Sequence, residues 1–198
     1  MKEFWDQRYR EPEYAYGIQP NVFFKETLAP LSPGKILLPA EGEGRNAVYA
    51  ATQGWDVRAF DFSSEAKRKA LALARQHQVS IRYDVLDVRD YAYPDNTFDV
   101  IRSFFTHIPY TLRPAFHRAL IRSLRPGGHI ILEAFHKNQV NYSSGGPKDL
   151  AMLFSIEELG NEFNGLTFQA LEDKLIELNE GPYHQGKAHV VRMIAIKQ

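Results

Sequence analysis

Residues 35 to 61 read KILLPAEGEGRNAVYAATQGWDVRAFD, and the order of apolar runs and glycines in this stretch decides the fold. The run Ile36, Leu37, Leu38 reads as a short buried strand that stops at Ala40-Glu41-Gly42-Glu43-Gly44. Ala47, Ala50 and Ala51 then follow at helical spacing until Gly54, and Val57, Ala59 and Phe60 form a second short strand closed by Asp61. Strand, glycine turn, helix and strand in this order open a doubly wound α/β sheet, in which a ligand lies across the carboxyl end of the first strand.

Gly42, Gly44 and Ala47 satisfy G-x-G-x-x-A, and Asp61 follows about 20 residues beyond the first glycine, where an acid grips ribose hydroxyls. A dinucleotide would satisfy that spacing. Its pyrophosphate, however, needs bare N–H groups at the helix N-terminus, and this turn carries Glu41 and Glu43. The carboxylates favour instead a nucleoside whose tail bears an ammonium and a sulfonium, which is S-adenosylmethionine.

Outward from this stretch, 198 residues support one domain with a core that needs no staples. Net formal charge is zero, so no global field draws the chain to nucleic acid or to a membrane surface. The absence of cysteine removes disulfides, thiolate nucleophiles and cysteine metal sites. The opening MKEFWDQRYREPEY is charged and aromatic rather than continuously apolar, so a cytoplasmic protein without a signal peptide is expected.

Upstream, residues 3 to 10 suit a short helix bearing Phe4, Trp5 and Tyr9, and Pro20-Asn21 starts a second helix. Between them, Tyr14-Ala15-Tyr16-Gly17 has the composition of a lid, so residues 1–34 are expected to cap a core of residues 35–198. Downstream, Phe62-Ser63-Ser64 caps a helix to about His77 whose apolar face is Ala66, Ala70, Leu73 and Ala74, with Lys67, Arg68, Lys69 and Arg75 on the solvated side. Val79 to Tyr83 reads as a third strand, after which Asp87 and Val88 stand where adenine would be met. Phe98 begins a fourth strand that ends at Ser103-Phe104-Phe105-Thr106-His107. Thr111 is expected to cap a helix to about Leu124, Arg125-Pro126-Gly127-Gly128 turns into a strand from His129 to Phe135, and Ser155 with Glu158 forms a capping box. Residues 167–179 and 187–197 read as an antiparallel pair around a long tip at 180–186.

Taken together, W-D-x-R-Y at 5–9, Tyr16-Gly17 with Pro20-Asn21, G-E-G-R-N at 42–46, F-D-V-I at 98–101, R-P-G-G at 125–128, E-A-F at 133–135 and G-G-P at 145–147 resemble the class I S-adenosylmethionine-dependent methyltransferases, tellurite-resistance and thiopurine-type branch. The resemblance implies a Rossmann-like seven-stranded sheet, mostly parallel with an antiparallel C-terminal hairpin and helices on both faces. It implies cofactor contacts from Ala40, Gly42, Gly44, Asp61, Asp87, Val88 and Ser103, to which Glu41, Arg45 and Phe62 are added by position. Leu38 stands where the family usually has an aspartate, and Glu41 is the residue to replace it at the methionine ammonium.

The expected chemistry is methyl transfer to a small-molecule acceptor, a thiol or a selenium or tellurium oxyanion, leaving S-adenosylhomocysteine and needing no metal. Substrate-side candidates are His107, His136, His184 and Tyr16. The branch has a histidine in its last hairpin facing the acceptor, which singles out His184. Neither nucleic acid nor membrane is an expected partner, and the chain is expected as monomer or homodimer. The rival readings are a non-catalytic S-adenosylmethionine binder and an NAD-dependent oxidoreductase.

Overall fold

The computed structural model describes residues 2–198. Helix α1 (Lys2–Arg10) is followed by α2 (Val22–Leu28), where the Asn21 side chain accepts from Phe24 N–H at 3.0 Å and so satisfies one orphan donor of the first turn. Then come β1 (Lys35–Pro39), α3 (Arg45–Thr52), β2 (Asp56–Asp61), α4 (Ser64–Gln76), β3 (Arg82–Val85) and β4 (Phe98–Phe104). After α5 (Arg113–Ser123) and β5 (Leu124–Phe135), two single 3-10 turns (Lys137–Asn141 and Leu150–Met152) lead to α6 (Ile156–Glu162). Strands β6 (Thr167–Glu180) and β7 (His184–Ile196) close the sequence of elements. The seven strands form one mixed sheet in the order β3, β2, β1, β4, β5, β7, β6. β1 and β2, β2 and β3, and β4 and β5 pair parallel, whereas β5 and β7 pair antiparallel. No helix among the described residues is long and apolar enough to cross a membrane.

Four boundaries differ from the sequence reading, for local reasons. Helix α4 ends in a left-handed Gln78 (φ 56°) with Gln78 N–H on Arg75 O and Val79 N–H on Ala74 O, so Val79 is spent on the helix end and the third strand starts at Arg82. Gly127 N–H donates to Lys197 O and Lys197 N–H to Gly128 O, which draws the Arg-Pro-Gly-Gly turn into β5 from Leu124 onward. Helix α5 opens after Leu112, which offers no side-chain cap, rather than after Thr111. The turn after β6 is only 181–183, because both strands run further than their apolar alternation. The capping box of α6 is present with both arms, from Ser155 and from Glu158.

Chain contacts group residues 2–91 with 180–183 in one unit, and 92–179 with 184–198 in a second. In the first, Ile36, Leu37 and Leu38 are fully buried, as are Ala66, Ala70 and Leu73 along one face of α4. Gly44 (φ 90°) is required there: a Cβ on it would lie 2.5 Å from the Ala70 Cβ, so only glycine lets the turn approach α4. In the second unit, Phe135, Leu153, Leu178, Ala188 and Val190 form a cluster that Phe105, Val140 and Ile176 partly cover.

Candidate functional site

In the first unit, the carboxyl ends of β1 and β2 converge on the glycine turn. Ala40 takes a left-handed backbone (φ 48°), a strained conformation for a residue with a side chain, and Glu41 N–H then reaches back to Phe60 O at 3.1 Å. Glu41 Oε1 accepts from Asn46 N–H at 3.0 Å and Ala47 N–H at 2.8 Å. Because Gly44 has no side chain to cap α3, the carboxylate of Glu41 does so from outside, at the positive end of the helix dipole. A diphosphate would need those same two N–H groups.

Asp61 ends β2 with its carboxylate almost fully enclosed, accepting from Gly42 N–H at 3.1 Å and Ser63 N–H at 2.9 Å. Burial outweighs these two bonds and pushes its pKa up to about 7. Leu86 N–H donates to Asp61 O, which brings the loop after β3 to the same edge, and Asp87 follows. There Arg89 holds Asp87 through both carboxylate oxygens, at 2.8 and 3.0 Å, and keeps its pKa below the usual range. Phe62 is half-buried just past Asp61, and Val88 is half-buried after Asp87.

The N-terminal segment covers the turn. A Cβ on Gly42 would lie 2.9 Å from the Tyr9 hydroxyl, so that hydroxyl sits directly over the glycine, while Tyr83 donates to Gly42 O at 2.5 Å. Trp5 stacks on Tyr9 at 5.4 Å. Ala15 N–H donates to Glu43 Oε2 at 2.7 Å, and Lys69 Nζ meets Glu43 Oε1 at 2.6 Å as well as Glu13 O. Burial raises the pKa of Glu43 against the pull of Lys69. From the other side, residues 180–183 strap the segment down. Glu180 accepts from Arg45 at 2.8 Å and from Asn21 at 3.0 Å, Gly181 abuts Gly17, and the Tyr183 ring lies under the Arg8 guanidinium at 4.1 Å.

In the second unit, Ser103 is buried on β4 opposite Leu132. Just past the strand come Phe105, left-handed at φ 50°, and then His107, whose Nδ1 lies 2.8 Å from Met152 O. The His107 ring stacks on Phe135 at 5.5 Å and tilts against Phe154 at 5.9 Å. His184 stands edge-on to Phe105 at 4.8 Å and to Phe135 at 5.3 Å. His107 and His184 are thus brought to one aromatic cluster. His136 is not: its Nδ1 accepts from Asn138 N–H to cap a 3-10 turn, and its ring packs on His189 at 4.2 Å.

The methyltransferase-domain family matches residues 36–128, which contain the glycine turn, Asp61 and β4. The chain is 33% identical over 122 residues to a phosphoethanolamine N-methyltransferase of Triticum aestivum, a match covering 60% of this chain and 24% of that protein. The chain thus spans about a quarter of the length of the first curated relatives it matches. A thiopurine S-methyltransferase of Legionella pneumophila (strain Corby) is 23% identical over 159 residues, 69% of this chain and 71% of that one. Among solved structures, TehB from Haemophilus influenzae superposes with a TM-score of 0.75 at 18% identity, over 100% of this chain and 67% of that chain, which shows the shared fold.

Three features of this site escape a reading of sequence. Lys69, expected on the wet face of α4, is buried and paired with Glu43. The signal was available: position 69 falls between Ala66 and Leu73 at i+3 and i+4 spacing, on the apolar face. Glu43, expected beside the cofactor's charges, has both carboxylate oxygens engaged by Lys69 and Ala15. Arg45, placed among the cofactor contacts by position, spends its guanidinium on Tyr16 O and Glu180. Glu43 and Arg45 lacked any local signal, since their side-chain partners Lys69 and Glu180 lie 26 and 135 residues away.

Proposed function

We propose that the chain is an enzyme that transfers a methyl group from S-adenosylmethionine to a small-molecule acceptor and releases S-adenosylhomocysteine. The observation that carries this reading is Asp61. Its carboxylate is enclosed at the carboxyl end of β2, yet two backbone N–H groups use only half of the roughly four lone-pair positions of a carboxylate. The remaining positions suit the two hydroxyls of a ribose. Beside it, Glu41 already occupies the first N–H groups of α3, so a nucleoside without phosphates fits this turn and NAD does not.

In this reading Ala40, Gly42 and Gly44 let the ligand approach the backbone, and Glu41 places negative charge near its cationic tail. Phe62 flanks the adenine, which Asp87 and Val88 meet with a polar group and backbone. Bound S-adenosylmethionine supplies a methyl group made electrophilic by its sulfonium. The chain's own contribution is to hold that donor and an acceptor in line and to keep water out, an effect worth up to about 7–11 kcal/mol of a barrier. Tyr9, Trp5 and Tyr16 supply the apolar cover, and residues 2–34 act as a lid that the cofactor orders. The sequence resemblance puts thiols and selenium or tellurium oxyanions first among acceptors to test, with amines beside them. The enzyme works in the cytoplasm as a monomer or homodimer, without nucleic acid or membrane.

Titration calorimetry with S-adenosylmethionine, S-adenosylhomocysteine and NAD tests the cofactor assignment, and mass detection of methylated products from a panel of thiols, selenite, tellurite and amines tests the activity. Binding of both adenosyl ligands without product from any acceptor would favour a non-catalytic binder. Preference for NAD would remove the proposal.

A further inference from the structure

Strand β6 stands at the end of the sheet order, so its outer edge carries backbone N–H and C=O groups that no described strand takes up. Such an edge is a template for a further strand, and proteins commonly blunt it with charge or proline. Residues 167–179 of this strand read TFQALEDKLIELN, with charge at the centre and no proline. About Asp173 the stretch is a palindrome of apolar and polar positions. Phe168 mirrors Leu178, Ala170 mirrors Ile176 and Leu171 mirrors Leu175, while Glu172 mirrors Lys174, Gln169 mirrors Glu177 and Thr167 mirrors Asn179. The centre of the palindrome is also its most open part. Leu175 is 58% exposed, and Glu172, Asp173 and Lys174 are exposed beside it. Among the described residues, neither Glu172 nor Lys174 has an ion-pair partner within its own chain.

We propose that β6 is the self-complementary interface of a homodimer, in which two copies pair antiparallel about a two-fold axis at Asp173 and the sheet runs on from one subunit into the other. A two-fold axis normal to a sheet must set some residue opposite its own copy, because opposed residues share a face and neighbours along a strand do not. Each possible centre therefore fixes a different set of pairs. A centre at Glu172 sets Lys174 against Ala170 and Leu171 against Asp173, and a centre at Lys174 sets Glu172 against Ile176 and Leu171 against Glu177. The centre at Asp173 joins Glu172 to Lys174 on both sides of the axis and lays Leu171 on the exposed Leu175. Opposite charges and apolar pairs facing one another across strands are what stabilise such a pairing. Leu178 belongs to the apolar cluster of the second unit and Ile176 packs against it, so the copy's Phe168 and Ala170 opposite them lengthen that core. Asp173 faces its own copy, but its carboxylate lies 2.6 Å from His189 Nε2 on β7. That strand is inward of the edge, so both carboxylates are drawn away from the axis. A strand from a different protein would find the same backbone groups yet has no reason to match the palindrome, which a second copy matches by identity. Every residue of this interface belongs to the second unit, and the inference does not depend on the cofactor reading.

Two charge reversals in the full chain, followed by sedimentation equilibrium, test the proposal. The unaltered chain should show a reversible equilibrium between monomer and dimer. Lys174→Glu and Glu172→Lys each turn both ionic oppositions from attractive to repulsive, and each should weaken self-association on the order of 10-fold or more. Mixed in equal amounts, the two variants should pair with one another about as tightly as the unaltered chain pairs with itself, since every lysine then meets a glutamate. Amide exchange over residues 167–179 of the unaltered chain should slow as its concentration rises. Should a variant fail to fold, that concentration dependence still decides. A chain that stays monomeric at millimolar concentration overturns the proposal, and so does capture of a foreign strand at this edge without self-association. A dimer that both variants leave intact puts the contact on another surface, and variants that weaken it without rescuing one another put it in another register; either result overturns the pairing about Asp173.

Discussion

Asp61→Asn should stabilise the fold at pH 8 while weakening the cofactor site. The carboxyl has an ordinary pKa of 3.8 and one of about 7 when enclosed. Since the folded value is the higher, the contribution of Asp61 is most favourable below pH 3.8 and is lost as pH rises through about 7. At 1.36 kcal/mol per unit, a shift of about three units means that holding the charged form costs about 4 kcal/mol at pH 8. Asparagine avoids this but has one acceptor oxygen for the two N–H groups of Gly42 and Ser63, a loss of about 1 kcal/mol. The net gain is about 3 kcal/mol at pH 8 and shrinks to within about 1 kcal/mol of zero at pH 5. Urea unfolding of both proteins at the two pH values measures it. In the same variant, loss of one charge-assisted ribose bond of about 1.5–3 kcal/mol weakens S-adenosylhomocysteine binding about 10- to 100-fold by calorimetry. A stability difference independent of pH would refute the argument from burial, and an unchanged affinity would remove Asp61 from the ribose.

Gly44→Ala combines a left-handed backbone with a Cβ 2.5 Å from the Ala70 Cβ. It should lose about 2–5 kcal/mol in urea unfolding, from about 1–2 for the backbone and 1–3 for overpacking. Lys69→Met leaves Glu43 buried without its cation and should cost about 3–5 kcal/mol at neutral pH. Replacing both partners together, Lys69→Met with Glu43→Gln, should recover part of that loss, and absence of recovery would show that the pair is not what holds residues 13–15. Hydrogen exchange of residues 2–24 should slow when S-adenosylhomocysteine is added; slow exchange already present in the free protein would make the segment a fixed part of the core rather than a lid.

What was legible in the sequence was what local geometry dictates. The β1, turn, α3, β2 unit could be read because a left-handed turn pressed on a helix admits only glycine at Gly44, and because Ser155 and Asn21 announce helix starts within three residues of themselves. Asp61 was legible by its distance from that turn. The partners of the turn were not. Glu41 caps α3 from outside and Glu43 is paired 26 residues away with Lys69, and a periodicity argument sees only neighbours three or four positions apart. Strand ends failed for the same reason: the end of α4 consumed Val79, and the last residues of the chain drew Gly127 and Gly128 into β5. His107 was legible as a histidine at the end of a strand, but its tautomer depends on Met152 O, which sequence does not place.

The strap formed by residues 180–183 bears on the order in which the molecule assembles. Glu180 is 159 residues from Asn21 and 135 from Arg45. Closing a loop of that length from a free chain costs about 4.5 kcal/mol plus a constant, more than one largely buried ion pair and one hydrogen bond return. The contacts therefore become favourable only after the partner strands of β7 have pinned the turn, with β5 the paired neighbour. A nascent chain that has emerged only as far as Tyr91 has its glycine turn, Asp61 and Lys69 but nothing to clamp Arg45 and Gly17. Competence to retain a nucleoside should thus appear only once residues 180–183 have emerged and β7 has paired, and a ribosome-bound intermediate halted before residue 180 should exchange its ligand faster than one that extends past β7.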